Sequence, residues 1–172
     1  MKKLVIVLAI ITTLLVINKE EKIVIPKEAI RFRVIANSDQ AQDQVLKKKV
    51  VNNLNEEIRK VTTLDTSLAN SRENIKKEIP SFSKIVSETL EKNQSNQTFT
   101  IDYGMNYFPE KEYKGIVYEE GEYESLVITL GNGLGENFWC VLFPPLCLLD
   151  TEEEVEDVEY TSFVKELIEK YF

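Results

Sequence analysis

The stretch YESLVITLGNGLGENFWCVLF, residues 123–143, decides the fold that this sequence predicts. Residues 123–130 are largely apolar on both faces of an extended chain, which is typical of a strand in the middle of a sheet. The glycine-rich residues 131–135 predict a flexible loop or a tight bend, and the alternating run NFWCVLF predicts a second strand. One face of that strand carries Trp139, Val141 and Phe143, and the other carries Phe138, Cys140 and Leu142.

The segment upstream predicts a strand followed by a long helix. Residues 29–37, AIRFRVIAN, alternate in the same way, with Arg31, Arg33 and Ile35 on one face and apolar side chains on the other. Ser38 or Asp39 can cap the next helix, whose apolar positions recur every three or four residues at Leu46, Val50, Leu54, Ile58 and Val61.

The remaining patterns complete an α+β fold. Residues 68–92 show a second helical stripe, which Pro80 interrupts, so we expect a kink or two short helices. Residues 98–104 predict a strand, and residues 112–133 predict two strands around a turn at 119–122, where Gly121 can take a positive φ. Residues 160–172 have helical spacing, although their β-branched start is also compatible with a strand. We predict two or three helices packed on a mixed four- or five-stranded sheet.

The N-terminus predicts export. Lys2 and Lys3 precede an apolar run at residues 4–17, which fits the charged and hydrophobic parts of a signal segment. Fourteen helical residues reach about 21 Å, short of the roughly 30 Å hydrocarbon core. No small-x-small pair marks a cleavage site, so both a cleaved signal and a retained anchor stay open, and a buried N-terminal helix is a weaker alternative. We predict a signal or anchor at residues 1–18, a polar stem at 19–28 and a single globular exported domain at 29–172.

The composition excludes several functions. The chain has no histidine, so it cannot form a Ser-His-Asp triad, a Cys-His nucleophile or a zinc site built on histidine. Its net charge of −8 argues against binding nucleic acid, and we expect membrane contact only through the N-terminal segment. The glycine-rich bend lacks the remaining residues of a dinucleotide or P-loop motif. We therefore predict no cofactor, no metal and no catalytic residues. A hydrolase of cell-wall polymer that uses a pair of carboxylates remains the alternative.

The two cysteines and the residues around them are the candidate site. Cys140 and Cys147 enclose Pro144 and Pro145, and in an exported domain this arrangement predicts a disulfide in a short loop, with two buried free thiols as the alternative. The dense apolar run also suggests a surface for a partner, with candidate residues Phe138, Trp139, Phe143, Pro144 and Pro145. The sequence leaves open whether Trp139 lies in the core or in such an interface.

Three motifs resemble the stage II sporulation protein R family of endospore-forming bacteria. They are IRFRVIANSD from residue 30, FP with a tyrosine at residues 108–113, and the run from Gly121 to Asp150, so the resemblance covers most of the exported chain. Phe138 stands where a second Trp is usual in the family, and residues 119–121 read EEG where Pro-Ala-Gly is frequent.

The resemblance implies a signalling role without catalysis. Members of the family are exported from the forespore into the space between forespore and mother cell. There they activate a membrane-embedded aspartic protease of the mother cell, which removes the pro-sequence of the transcription factor sigma-E. We therefore expect a protease activator, and a structural protein of the envelope is a third alternative beside the hydrolase.

Overall fold

The computed structural model describes residues 23–62, 67–113, 115–148 and 157–172. The predicted export segment, part of the polar stem and Asp150 lie outside the described residues.

Three helices and seven strands follow one another along the described chain, which confirms an α+β fold with three helices. In order they are β1 (Ile23–Val24), β2 (Ile30–Ile35), α1 (Ala41–Val61), α2 (Leu68–Lys92), β3 (Phe99–Phe108), β4 (Lys111–Tyr113), β5 (Ile116–Tyr118), β6 (Gly121–Leu130), β7 (Asn137–Phe143), a short 3-10 turn (Leu146–Leu148) and α3 (Asp157–Tyr171). The C-terminal segment is therefore a helix from its described start.

The larger sheet has four strands in the order β3-β6-β2-β7. Its two inner strands, β6 and β2, run parallel to each other, and the outer strands are antiparallel to their neighbours. This confirms that residues 123–130 form a central strand, because apolar side chains on both faces require cover on both sides.

A separate sheet has three strands in the order β1-β5-β4. The sequence predicted that β5 and β6 form a pair around their turn, and this prediction is wrong, because β5 pairs with β4 and β1 instead. Gly121 does adopt the predicted positive φ, 147°, at the point where the chain passes from the small sheet to the large one.

The main core lies between one face of the four-stranded sheet and the helices α1 and α2. All five predicted stripe residues of α1 are buried, and α2 buries Ile75, Phe82, Val86 and Leu90. These side chains pack on Phe32, Val34, Leu126 and Ile128 of the two inner strands. Helix α2 continues through Pro80, so the alternative of two short helices is wrong. Pro80 is solvent-exposed, where its ring does not interrupt the packed stripe.

A second apolar cluster joins the small sheet, α3 and the C-terminal half of β7. Its buried members are Ile25, Ala29, Ile116, Tyr118, Val141, Leu146, Val164 and Leu167. Val141 belongs to this cluster while its neighbours Cys140 and Leu142 belong to the main core, so β7 is covered on both faces over this half. Its N-terminal half, which holds Phe138 and Trp139, is only half-buried.

Candidate partner-binding site

Strand β7 presents different residues on its two faces, largely as predicted. Trp139 and Val141 share one face, and Phe138, Cys140 and Leu142 face the main core. Phe143 was predicted to share the face of Trp139, and that is wrong. The register with β2 shifts between Ile30 and Arg31, so that Ile30 pairs with Phe143 and Arg31 with Val141. This irregularity adds one residue to β7 and turns Phe143 into the main core.

Trp139 lies half-buried among one aromatic ring and two cations. Its ring meets Phe108 edge-on, with 5.1 Å between the ring centroids. The guanidinium carbon of Arg33, the residue opposite Trp139 in the strand pair, lies 5.9 Å from the indole centroid. The Nζ atom of Lys111, from the small sheet, lies 5.2 Å from it. The indole is thus part of a mixed aromatic and cationic surface.

Arg33 and Lys111 have no carboxylate partner among the described residues. Arg33 stacks on Phe108, with its guanidinium carbon 4.6 Å from the ring centroid, and its Nε atom is buried without a hydrogen-bond acceptor. Burial lowers the pKa of Arg33. The sequence showed Arg33 only as one residue of a strand face, and nothing in the pattern connected Lys111, 78 positions later, with the same site.

Arg31 lies two residues away on the same face and is fully buried, with 1% of its surface exposed. Its guanidinium stacks on Tyr123, 3.3 Å from the ring centroid, and Nη1 donates a hydrogen bond to the carbonyl oxygen of Glu119 at 3.3 Å. The Nε and Nη2 atoms have no acceptor within the described structure. Burial lowers the pKa of Arg31, and the nearby Tyr123 and Tyr118 oppose that shift. Aromatic stacking therefore replaces the ion pair that a buried guanidinium usually has.

Three of the five predicted partner-binding residues are buried. Phe143 is 2% exposed and meets Tyr171 of α3 edge-on at 5.1 Å, and Pro144 and Pro145 are buried beside it. Only Phe138 and Trp139 keep exposed surface. The binding role of the five residues stays a prediction, and its exposed part is confined to the first half of β7.

The predicted disulfide is present. Cys140 and Cys147 are bonded, with 5.5 Å between their Cα atoms, and both are buried. The bond connects β7 to the 3-10 turn that follows Pro145. It therefore fixes the strand directly after Trp139.

The glycine-rich bend is held firmly against the segment that follows β2. The N–H groups of Leu134 and Gly135 donate to the carbonyls of Asn37 and Ala36 at 3.1 and 3.0 Å. The N–H of Asn132 donates to Asn37 Oδ1, and that of Glu136 to Asp39 Oδ1 at 2.6 Å. Asp39 was predicted as a possible helix cap. It binds the bend instead, and Gln40 occupies the cap position of α1 without a side-chain cap bond.

Asp43, in the first turn of α1, organises the same junction. Its carboxylate accepts hydrogen bonds from Ser38 Oγ, Asn37 Nδ2 and Gln97 Nε2 at 2.5, 2.8 and 2.6 Å. The bonds from Ser38 and Asn37 lower the pKa of Asp43. The junction lies at the carboxyl ends of the parallel strands β2 and β6. It therefore fixes where β7 begins, two residues before Trp139.

The carboxylates predicted as the alternative catalytic groups are solvated or paired where the structure describes them. Asp102 is exposed and accepts a bond from Asn106 at 2.9 Å, and the glutamates of the 119–122 turn are exposed. Although burial opposes it, hydrogen bonds from Arg72 and Tyr103 lower the pKa of Glu124. The described residues contain no group of three Cys, Asp or Glu side chains arranged to hold a metal ion. Within the same residues, no helix has the length and apolarity to cross a membrane.

Comparison with known proteins agrees with the motifs. Residues 26–153 match the family described as Stage II sporulation protein R. A curated relative with that name, from Bacillus subtilis strain 168, is 43% identical over 155 residues, which cover 89% of this chain and 69% of the relative. No solved structure matches the chain.

Proposed function

The chain belongs to the stage II sporulation protein R family, which gives it a role in sporulation, and from that premise we propose that it is an exported signal between cells. In this proposal it leaves the forespore, enters the space between forespore and mother cell, and activates a membrane-embedded aspartic protease of the mother cell. The protease then processes the precursor of sigma-E. The resemblance of the motifs at residues 30–39, 108–113 and 121–150 to this family is the source of the proposed pathway.

The surface around Trp139 is the observation that carries the proposal. A half-exposed indole that meets Phe108 edge-on and is flanked by Arg33 and Lys111 has the composition of an interface hot spot, since Trp and Arg are enriched there. The disulfide on one side and the bend at residues 131–135 on the other hold this part of β7 in place. A preformed surface of this kind loses little entropy when a partner binds.

The surroundings of Glu124, a half-buried carboxylate on β6, do not suit hydrolysis of a cell-wall polymer. A glycosidase needs one carboxylic acid with a raised pKa beside a second carboxylate. The pKa of Glu124 is lowered, and its Oε2 atom accepts a hydrogen bond from Arg72 Nε at 2.9 Å. A carboxyl group with a lowered pKa is a poor proton donor, so Glu124 does not fit the acid of a wall hydrolase.

The location in the cell is part of the proposal. The signal or anchor at residues 1–18 would direct export and supply the membrane contact, and the folded residues would meet the protease outside the forespore. Release by cleavage and retention as an anchor are both compatible with this encounter.

Co-expression tests the proposal. The full chain, the membrane protease and a sigma-factor precursor are produced together, and removal of the pro-sequence is scored on immunoblots. We expect cleavage with the wild-type chain, with Asp102→Asn and with Glu124→Gln, and none with Trp139→Ala. A protease lacking its catalytic aspartates is the control. Loss of cleavage in either carboxylate variant at normal protein level, together with release of fragments from purified cell wall by the wild-type chain, would favour the hydrolase.

A further inference from the structure

Two cations around Trp139 contact aromatic rings, where four other described cations form ion pairs. The chain carries 29 acidic residues against 21 basic ones. Lys60, Arg72, Lys84 and Lys92 each form an ion pair with a glutamate. Arg33 and Lys111 form none among the described residues and contact only aromatic rings. Their charges are available to an anion from outside.

The surroundings of Arg33 favour such an anion. Its Nε atom is buried and has no acceptor, and burial lowers its pKa. A partly desolvated guanidinium gains more from a carboxylate than an exposed one does, because water competes less for the same hydrogen bonds. Lys47 shows the opposite case nearby, since its Nζ already donates to Gln44 Oε1 and to the carbonyl of Glu136.

The position of Trp139 on an edge strand indicates the form of the anion. In the four-stranded sheet β7 pairs with β2 on one side and is the last strand on the other. Its first three residues, Asn137, Phe138 and Trp139, are half-exposed. The backbone groups of an edge strand can pair with an extended segment from another protein, and every second side chain of that segment would then lie on the face of Trp139.

We propose that β7 binds an extended acidic segment of the partner as an added strand, with an Asp or Glu side chain held between Arg33 and Lys111 against the indole of Trp139. This inference rests on the proposed function, since the segment belongs to a part of the membrane protease outside the bilayer. It adds the chemistry of recognition, which is main-chain pairing for affinity and a carboxylate for specificity.

Fluorescence of Trp139 reports binding at this site directly, because the chain has a single Trp. The probes are Trp-free peptides of about twelve residues that tile the protease segments outside the membrane, titrated into the full chain in neutral phosphatidylcholine vesicles. At least one acidic peptide should change the emission, and its version with Gln and Asn in place of Glu and Asp should bind roughly tenfold or more weakly.

Charge variants separate the proposed site from general electrostatics. Lys111→Glu and Arg33→Met should each weaken the acidic peptide roughly tenfold or more. Lys84→Glu is the matched control, because it makes the same change of charge on α2, at a side chain that is 76% exposed and 3.9 Å from Glu88. It should leave the affinity unchanged. Equal weakening by Lys111→Glu and Lys84→Glu, or no weakening by either, would overturn the acidic site.

Two further outcomes would also overturn it. One is that no peptide changes the emission. The other is that the emission changes only with vesicles enriched in phosphatidylglycerol, which would assign the cations to an anionic membrane.

The cleavage assay keeps this inference separate from the proposed function. Cleavage that stays undiminished with both Lys111→Glu and Arg33→Met rejects the acidic site and leaves the signalling role intact. No cleavage with the wild-type chain rejects the signalling role. If acidic peptides then still bind and Lys111→Glu weakens their binding, the acidic site is supported without the signalling role.

Discussion

Replacement of Trp139 by alanine should reduce stability moderately and abolish signalling. Truncation of a fully buried Trp costs about 3–5 kcal/mol. Trp139 is half-buried and packs against the small apolar cluster of Phe108, Tyr123 and Val127, with the ring of Phe108 edge-on at 5.1 Å. About half of the full cost, roughly 2 kcal/mol, is therefore expected. For a domain of this size that lowers the melting temperature by about 4–8 °C and leaves the protein folded.

The effect on signalling should be much larger than the effect on folding. An aromatic anchor at the centre of an interface contributes about 2–4 kcal/mol, so its loss weakens binding by roughly 30-fold to 1,000-fold. Urea denaturation followed by circular dichroism measures the stability. Removal of the pro-sequence in the co-expression assay measures the activity, at protein levels matched by immunoblot.

Phe99→Ala is the matched control, because Phe99 is a half-buried aromatic residue on β3, at the other edge of the four-stranded sheet. It packs against the main core. We expect a similar loss of stability and nearly normal cleavage. The reasoning fails if both variants lose cleavage in proportion to their stability, or if Trp139→Ala keeps full cleavage. A loss above about 4 kcal/mol for Trp139→Ala would instead identify Trp139 as a core residue.

Three further variants test the parts that hold this surface. Gly135→Ala should lose about 1–3 kcal/mol of unfolding free energy in urea, because its Cβ would collide with the backbone of Ser38, whereas Gly104→Ala, with no atom nearer than 3.9 Å, should change it by less than about 0.5 kcal/mol. Arg31→Met should change the unfolding free energy by less than about 1 kcal/mol or raise it, since it replaces a buried charge without a carboxylate partner by an apolar chain. Arg31→Ala should lose roughly 2–5 kcal/mol. An equally large loss for Arg31→Met would show that the stacked guanidinium itself stabilises the fold. The pKa of Glu124 is lowered in the folded state, so its contribution to the free energy of unfolding is present above its unfolded pKa of about 4.3 and is lost as the pH falls through the folded value. Glu124→Gln should therefore reduce the fall in the urea midpoint below about pH 4.5. An unchanged fall would contradict the role of its bonds to Arg72 and Tyr103.

The helices and the central strands were predictable because their signals are local. Every residue of the α1 stripe from Leu46 to Val61 is buried, since a repeat of three to four residues specifies one face of a helix without reference to the rest of the chain. The two apolar faces of residues 123–130 likewise required a central strand. The disulfide could be predicted from the expected export of the chain and the short proline-containing loop.

The pairing of strands and the junction of loops could not be predicted, because they depend on distant residues. Whether Ile116–Tyr118 pairs with the next strand or with Ile23–Val24 is decided by contacts about 90 positions apart. The extra residue in β7 is visible only from its register with β2, and it alone moves Phe143 into the core. Asp39 was a possible helix cap, but its carboxylate accepts a hydrogen bond from the backbone N–H of Glu136, which lies 97 residues later. Local patterns give no information about such partners.

The binding energy that Trp139 can supply limits how the proposed activation of the protease can work. To move a protease from almost entirely inactive to almost entirely active, an activator must bind the active state more tightly by about 5.5 kcal/mol. A single aromatic hot spot supplies about 2–4 kcal/mol, which is not enough. The difference must come from contacts made only in the active state. The outer edge of β7, which pairs with no strand among the described residues, and the cations Arg33 and Lys111 are next to the indole to make them. Removal of the cations alone should then reduce activation in the cleavage assay without abolishing it.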